Sequence, residues 1–357
     1  MDTQDVLNCV FSAWYPKFKD ITIKSHILPL PKEFLDYLQA DGVVLPEQSV
    51  TASGKHDEDD IEGEELDVDW DAADSSETEM PSFPEFESLM KKIIKTLGGS
   101  VFPKLNWSAP RDATWISFDK TLRCTCPSDV YLLLKSSEFI THDLTQPFLH
   151  CKDCHNRNNI TVQYELILRK WQNLASGMEF RCFVRNGKLI AICQRNHTEH
   201  YEFISMMKEE IVSDIKAFFY HMVAGKFPSK NYVFDVYRRD KGKLLLIDFN
   251  PFGPVTDGLL FTWDELEGLK GERQENDQTQ ESTAVETSGE TSKDQDLVFR
   301  FVEQPEGVQP HPYSCFGIPE DIKDLTSGED PYKMMDLLNL KIQRMGEDQE
   351  HSSDEGD

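Results

Sequence analysis

Two apolar strand pairs, each bent about a turn that suits an antiparallel ladder, constrain this chain more than any other feature. Phe180 to Val184 and Leu189 to Cys193 flank Asn186-Gly187, the strongest short hairpin signal in the sequence. Tyr232 to Tyr237 and Leu244 to Phe249 flank Asp240-Lys241-Gly242. Helical periods lie around these hairpins. Phe86, Leu89, Met90, Ile93, Ile94 and Leu97 recur at helical spacing, with Pro84 suited to a first turn and Gly98-Gly99 to the end. A second helix runs through Ile211, Ile215, Phe218, Phe219 and Met222, and Thr262-Trp263-Asp264-Glu265 is a capping box for a third. A last helix is expected over about Tyr332 to Met345. Tyr164, Leu166 and Leu168 alternate with Glu165, Ile167 and Arg169, which reads as a strand. Val101 to Ser108 reads as a short strand running into a polar turn, Ile21 to Ile23 and Ile27-Leu28 as short extended pieces. The aromatic Cys9 to Pro16 stretch is expected to lock the terminus onto a core, and Val130 to Leu134 fits either element type. Mixed elements with antiparallel hairpins and no repeat period make an α+β protein, not a doubly wound parallel sheet.

The charge is unevenly placed. The net charge is -27, but Asp57 to Glu79 holds 13 acids and no Lys or Arg. Glu272 to Asp296 holds 8 acids against 2 bases, and Glu347 to Asp357 holds 6 acids and no base. Without these segments the chain is nearly neutral. They lack apolar residues to bury and are expected to be disordered, as a loop at about 54–80, an insert at about 271–296 and a tail at 346–357. Solvated loops are the simplest reading. A partner mask or acidophilic-kinase sites at Ser76 and Ser352 is the sharper one. The remaining chain is long enough for one large domain or two lobes. An acidic balance argues against direct nucleic-acid binding and against an anionic membrane surface. No apolar run approaches the roughly 20 residues that span a bilayer. Residues 1–10 carry acids and no basic run, so they do not read as a signal peptide, and the eight cysteines are expected to be reduced thiols. His150-Cys151-Lys152-Asp153-Cys154-His155 has zinc-like spacing but lacks a second Cys-x-x-Cys, so a loop with free thiols is the expectation.

Chemistry concentrates at Ile247-Asp248-Phe249-Asn250-Pro251-Phe252-Gly253. On a strand, Asp248 and Asn250 leave the same face. An apolar strand does not carry a carboxylate without a partner. If the turn centres near Lys241-Gly242, Asp235 lies opposite Asp248. Two carboxylates and an amide oxygen facing each other suit a hard cation such as Mg²⁺, which keeps waters and substrate phosphates. The alternative is that Asp248 caps the turn at Asn250-Pro251. Lys104, Arg169, Lys170, Arg181 and Arg195 sit at or near apolar strands and would supply the cations of a nucleotide-triphosphate cleft. No Gly-x-x-x-x-Gly-Lys-Ser/Thr loop and no protein-kinase motif is present, so side chains from sheets would hold the phosphates.

Lys104-Leu105-Asn106-Trp107-Ser108-Ala109-Pro110-Arg111-Asp112, Arg169-Lys170-Trp171, Glu179-Phe180-Arg181-Cys182-Phe183 and Leu246 to Gly253 together resemble the cell division cycle protein 123 family, over roughly Phe11 to Leu340. The resemblance implies an ATP-grasp-type fold of two lobes closing on ATP and Mg²⁺, here an N-terminal lobe at 1–168 and a C-terminal lobe at 169–345. It implies an assembly factor, cytoplasmic and monomeric, that binds the gamma subunit of eukaryotic translation initiation factor 2, promotes its joining with the alpha and beta subunits, and supports translation initiation and the cell cycle. By the same resemblance Lys104 and Arg181 contact phosphates with Arg195 nearby. Trp107, Ala109 and Arg111 line the cleft. Arg169, Lys170 and Trp171 form the hinge near the adenine. Glu179 binds the nucleotide, and Asp235, Asp248 and Asn250 hold Mg²⁺. An ATP-dependent ligase activating a carboxylate as an acyl phosphate is the alternative function.

Overall fold

The strand β3 (Glu165–Lys170) is buried from Leu166 through Arg169, on both of its faces. Leu166 and Leu168 enter one apolar core and Ile167 enters another. The alternation visible in the sequence therefore divides two cores rather than core from solvent. β3 is the middle of a three-stranded antiparallel sheet, between β1 (Ser25–Pro29) and β2 (Val101–Lys104).

The computed structural model describes residues 1–40, 42, 46, 81–117, 119–153, 160–269 and 297–305. The acidic loop, the 271–296 insert, the acidic tail, Ser76, Ser352, Cys154, His155 and the expected helix near 332–345 lie outside them. On one face of the small sheet pack α3 (Lys32–Gln39), α4 (Pro84–Thr96), α5 (Pro127–Lys135) and α6 (Glu138–Thr145), around Phe34, Phe86, Met90 and Tyr131. Pro84 begins α4, where its missing N–H costs nothing, and Gly98 and Gly99 take positive φ just beyond its end. The apolar run 130–134 lies within α5.

The second sheet has five strands in the order β7-β6-β4-β5-β8. β4 (Glu179–Arg185) and β5 (Lys188–Gln194) form the first hairpin, with Asn186 and Gly187 at φ 52° and 74°. β6 (Tyr232–Asp240) and β7 (Lys243–Pro251) form the second, longer than the apolar pattern alone implies. β8 (Val298–Arg300) joins β5 in parallel after the insert. One face of this sheet is covered by α2 (Phe11–Phe18), α7 (Glu202–Met206) and α8 (Lys208–Phe218), with a π turn at Phe219–Val223, while α1 (Thr3–Asn8) buries Val6 beside Phe148 and Cys151. Phe11, Trp14 and Phe18 of α2 pack there with Phe180, Phe234 and Phe249. Burying a side chain of that size stabilises by about 1.5–3 kcal/mol, so the aromatic start of the chain belongs to the second core. The other face is covered by Leu259, Leu260, Phe261 and the capped helix α9 (Trp263–Gly268). Six cysteines among the described residues are free thiols, and no described helix is long and apolar enough to cross a membrane.

The segment after α2 ties the two sheets together. Thr22 bridges to Leu246 on β7: Leu246 N–H donates to the Ile21 carbonyl at 2.8 Å, and Thr22 Oγ1 donates to the Leu246 carbonyl at 2.6 Å. β2 and β3 are thereby held against residues 246–248 of β7, where the charged residues gather.

Candidate functional site

The second hairpin turns at Lys241-Gly242, with Gly242 at φ 67°. Two register shifts follow, between Arg238 and Asp240 and between Asp235 and Val236, and they cancel, so Asp235 of β6 lies opposite Asp248 of β7, where an unbroken count from the turn places it. The pairing continues across the sheet. Arg181 of β4 is opposite Asp235, Cys193 of β5 is opposite Arg181, and Arg300 of β8 is opposite Cys193. Directly opposed residues share a face. Asp248, Asp235, Arg181, Cys193 and Arg300 therefore form one row across all five strands, on the face that carries Phe183, Val233 and Phe261.

Two opposed carboxylates repel, and the structure offsets this with guanidiniums. Arg181 grips Asp235 with two bonds, Nε to Oδ1 and Nη2 to Oδ2, both 2.8 Å. Its Nη1 donates to the Asp257 carbonyl at 2.7 Å. Arg195 Nε donates to Asp235 Oδ2 at 3.0 Å and lies 3.8 Å from Glu179 Oε2. Asp235 is 1% exposed. Burial alone would raise its pKa, but Arg181 and Arg195 outweigh burial and hold the carboxyl well below the usual range. Burial likewise works against the Arg181 charge, and Asp235 overrides it and holds the guanidinium protonated.

Lys104, at the end of β2, reaches across from the other sheet. It is 1% exposed, and its Nζ lies 2.6 Å from Asp248 Oδ2. The Phe249 N–H donates to the other Asp248 oxygen at 3.1 Å, so Asp248 also binds the backbone locally, though at its own strand and not at Asn250-Pro251. Burial lowers the Lys104 pKa, and the Asp248 carboxylate opposes that. Arg169 of β3 donates to the Ile247 carbonyl at 2.8 Å and to Thr22 Oγ1 at 3.1 Å. Its Nε is buried with no hydrogen-bond partner. Lys104 and Arg169 both sit over the Phe11 ring, each 5.4 Å from its centroid.

Lys104, Arg169, Glu179, Arg181, Arg195, Asp235 and Asp248 thus gather where the two sheets meet. Asn250, two residues beyond Asp248 on β7, leaves the same face and pairs with Val233. The remaining predicted residues are placed by other contacts. Trp107 Nε1 donates to the Val6 carbonyl at 2.8 Å, and its ring is edge-on to Phe148. Ala109 packs on the first core, and Arg111 opens a short 3-10 turn. The Lys170 N–H donates to the Lys24 carbonyl, its side chain is exposed, and the Trp171 N–H donates to the Ser100 carbonyl. Among the described residues no three His, Cys, Asp or Glu side chains converge on a metal position. The predicted set is of another kind, two carboxylates and an amide. Cys151 is buried against Val6 and Phe148.

Residues 14–326 match the model of the D123 family. The chain belongs to the D123 family. It is 46% identical over 351 residues to a Xenopus laevis protein named translation initiation factor eIF2 assembly protein, covering 98% of this chain and 99% of that one. A Danio rerio protein of the same name is 46% identical over 358 residues, covering 100% and 99%. The solved structure of Cdc123 from Schizosaccharomyces pombe is 34% identical and superposes with a TM-score of 0.64, covering 85% of this chain and 99% of that one.

In this D123 family member two charged residues near the site escaped the sequence reading. Asp143 of α6 is 4% exposed and accepts from Ser108 N–H at 2.7 Å and Ser108 Oγ at 2.9 Å, four residues beyond Lys104. Burial pushes its carboxyl up to about 6 in spite of these bonds. The available signal was its place between Ile140 and Leu144 on the buried stripe of α6. Arg300 escaped because β8 is only three residues long and follows the insert.

Proposed function

We propose that this chain is an ATP- and Mg²⁺-binding assembly factor for eukaryotic translation initiation factor 2, acting in the cytoplasm as a monomer. Its direct partner is the gamma subunit, and its two sheets close on the nucleotide in the ATP-grasp manner. The observation that carries the nucleotide reading is the ion cluster at the junction of the sheets. Lys104, Arg169 and Arg181 are at most 5% exposed. Burying such charges rarely stabilises a fold, and an unpaired buried donor such as Arg169 Nε costs about 1–3 kcal/mol. A site of this composition is arranged for an anion.

The residues fit a triphosphate and its cation. Asp248, the more accessible of the two carboxylates, already carries a cation in the form of the Lys104 ammonium. Mg²⁺ would be held by Asp248 and Asn250, with Asp235 facing them, and would neutralise phosphate oxygens. Lys104 would exchange Asp248 for a distal phosphate and so keep a counter-charge in its buried position. Arg181 and Arg195 would offer N–H groups to the phosphates, with Asp235 holding both in place. Glu179 and Arg169-Lys170-Trp171 would take the nucleoside end, and Trp107, Ala109 and Arg111 would line the approach. A ligand held by residues of both sheets would favour one docking-competent conformation.

The names of the Xenopus laevis and Danio rerio relatives support the assembly role. Calorimetric titration with ATP, once with Mg²⁺ and once with a chelator, tests the nucleotide reading: saturable binding that requires Mg²⁺ is expected, and no binding in either buffer overturns it. Titration with the isolated gamma subunit tests the partner, and an equal affinity for the alpha or beta subunit alone overturns that assignment.

A further inference from the structure

The row that begins at Asp248 ends at Arg300, three strands away from Asp235. Arg300 does not touch the ion cluster. It works on the loop between β7 and α9. Arg300 Nη1 donates to the Leu260 carbonyl at 2.9 Å, and its guanidinium stacks over Phe261 at 4.3 Å. The same guanidinium forks onto Glu265 at 2.8 and 2.9 Å. Four residues before Glu265, the loop closes on itself. Phe261 N–H donates to the Gly258 carbonyl at 3.1 Å, and Leu259 N–H donates to Asp257 Oδ1 at 2.8 Å. Trp263 Nε1 donates to the Thr256 carbonyl at 2.8 Å, and Thr256 Oγ1 donates to the Pro251 carbonyl at 2.6 Å. The other end of this loop is the Asp257 carbonyl, which accepts from Arg181.

We propose that Arg300 is a positioning residue for the nucleotide site: through the loop Thr256 to Phe261 it presents the Asp257 carbonyl that holds Arg181 in its two-bonded grip on Asp235. The inference rests on the nucleotide reading for its consequence and on the loop geometry for its mechanism. A second tie runs in parallel. Gln194, at the end of β5 and fully buried, accepts from the Val302 N–H at 3.1 Å, and the residue after it is Arg195. The segment 300–302 is thus attached beside both arginines that hold Asp235. Phe183, Cys193 and Val233 pack under the same loop from the sheet, and Arg300 adds the charged tie from a strand that enters after the acidic insert. The loop turns tightly enough at Gly258 to require glycine there. A Cβ on Gly258 would lie 2.3 Å from the Phe261 carbonyl oxygen, closer than real contacts allow.

The test compares the full chain with Arg300→Gln and with Arg300→Lys, which keeps a charged donor for the Leu260 carbonyl and Glu265. Hydrogen exchange of the backbone, without nucleotide, reads the mechanism directly. Residues 256–261 are expected to lose protection in Arg300→Gln and to keep part of it in Arg300→Lys. Unchanged protection at 256–261 in Arg300→Gln overturns the proposal whether or not the chain binds ATP. Calorimetry with Mg²⁺-ATP and with AMP reads the consequence. Arg300→Gln is expected to weaken ATP by about tenfold, the scale of one misplaced charged hydrogen bond, and AMP by less. Equal losses for the two nucleotides, or none, overturn it, because a general loss of structure has no reason to single out the phosphates. Failure of the wild-type chain to bind ATP overturns the nucleotide reading instead, and the exchange result then decides the loop mechanism alone.

Discussion

Lys104 Nζ and Asp248 Oδ2 are 2.6 Å apart, and they come from different sheets. The pair is a clasp between β2 and β7 as well as part of an ion cluster. Asp248→Asn keeps the shape and removes the charge, leaving Lys104 buried without its closest counter-ion. The expected outcome is a folded protein whose ATP titration no longer distinguishes Mg²⁺ from chelator. Tight, Mg²⁺-dependent binding by this variant would remove Asp248 from the metal set.

Lys104→Met tests the other half of the clasp. A methionine fills most of the lysine stem over the Phe11 ring and loses only the ammonium. A charged hydrogen bond is worth about 1.5–3 kcal/mol, so ATP affinity is expected to fall by roughly ten- to a hundredfold, with AMP affected far less. Equal losses would place Lys104 away from the distal phosphates.

How much of this was legible in the sequence depends on how local the cause is. Asn186-Gly187 and Lys241-Gly242 act within four residues, so both hairpins could be read from the turns, whereas the opposition of Asp235 to Asp248 matches the count only because two irregularities in the β6–β7 ladder cancel. The capping box at Thr262 is equally local, and the Glu265 N–H donates to Thr262 Oγ1 as expected. The double burial of β3 was not visible, because it follows from where Ile167 and Leu168 are covered and by what. Lys104 was suspicious as a base after an apolar strand, but its partner lies 144 residues away. Sequence patterns carry no register between β5 and β8, so the extension of the site to Arg300 appears only in the fold.

Arg181 and Asp235 allow stability to be separated from function. Removing one member of a buried pair costs about 3–5 kcal/mol, since the other charge stays buried without its partner. Arg181→Met is therefore expected to lower the unfolding free energy by about that amount in urea titrations. Arg181→Met with Asp235→Leu is expected to recover most of the loss, as apolar residues of similar volume replace both charges. ATP binding is not expected to recover. A double variant no more stable than Arg181→Met would show that the pair contributes through Arg195 and Asp257 rather than through the buried charge itself.

Asp143 predicts a pH dependence with a definite sign. Its carboxyl is pushed up by burial from an ordinary 3.8 to about 6 in the fold. Between these values the native chain binds more protons than the unfolded one, so stability from this group is present below about 4 and is lost as pH rises through about 6. Asp143→Asn carries no charge at any of these pH values. Its amide oxygen can accept from the Ser108 N–H and the neighbouring Trp107 N–H, and its amide N–H can donate to Ser108 Oγ, so the bonds seen at 2.7 and 2.9 Å are replaced. The variant is therefore expected to unfold with wild-type stability near pH 4 and to exceed it at pH 7, by an amount of order 2 kcal/mol. Paired urea titrations at pH 4, 5, 6 and 7 read the difference. A gap that stays constant across the series, or that closes toward neutral pH, would mean that Asp143 is ionised in the fold throughout and that Ser108 and the nearby Lys104 charge outweigh its burial.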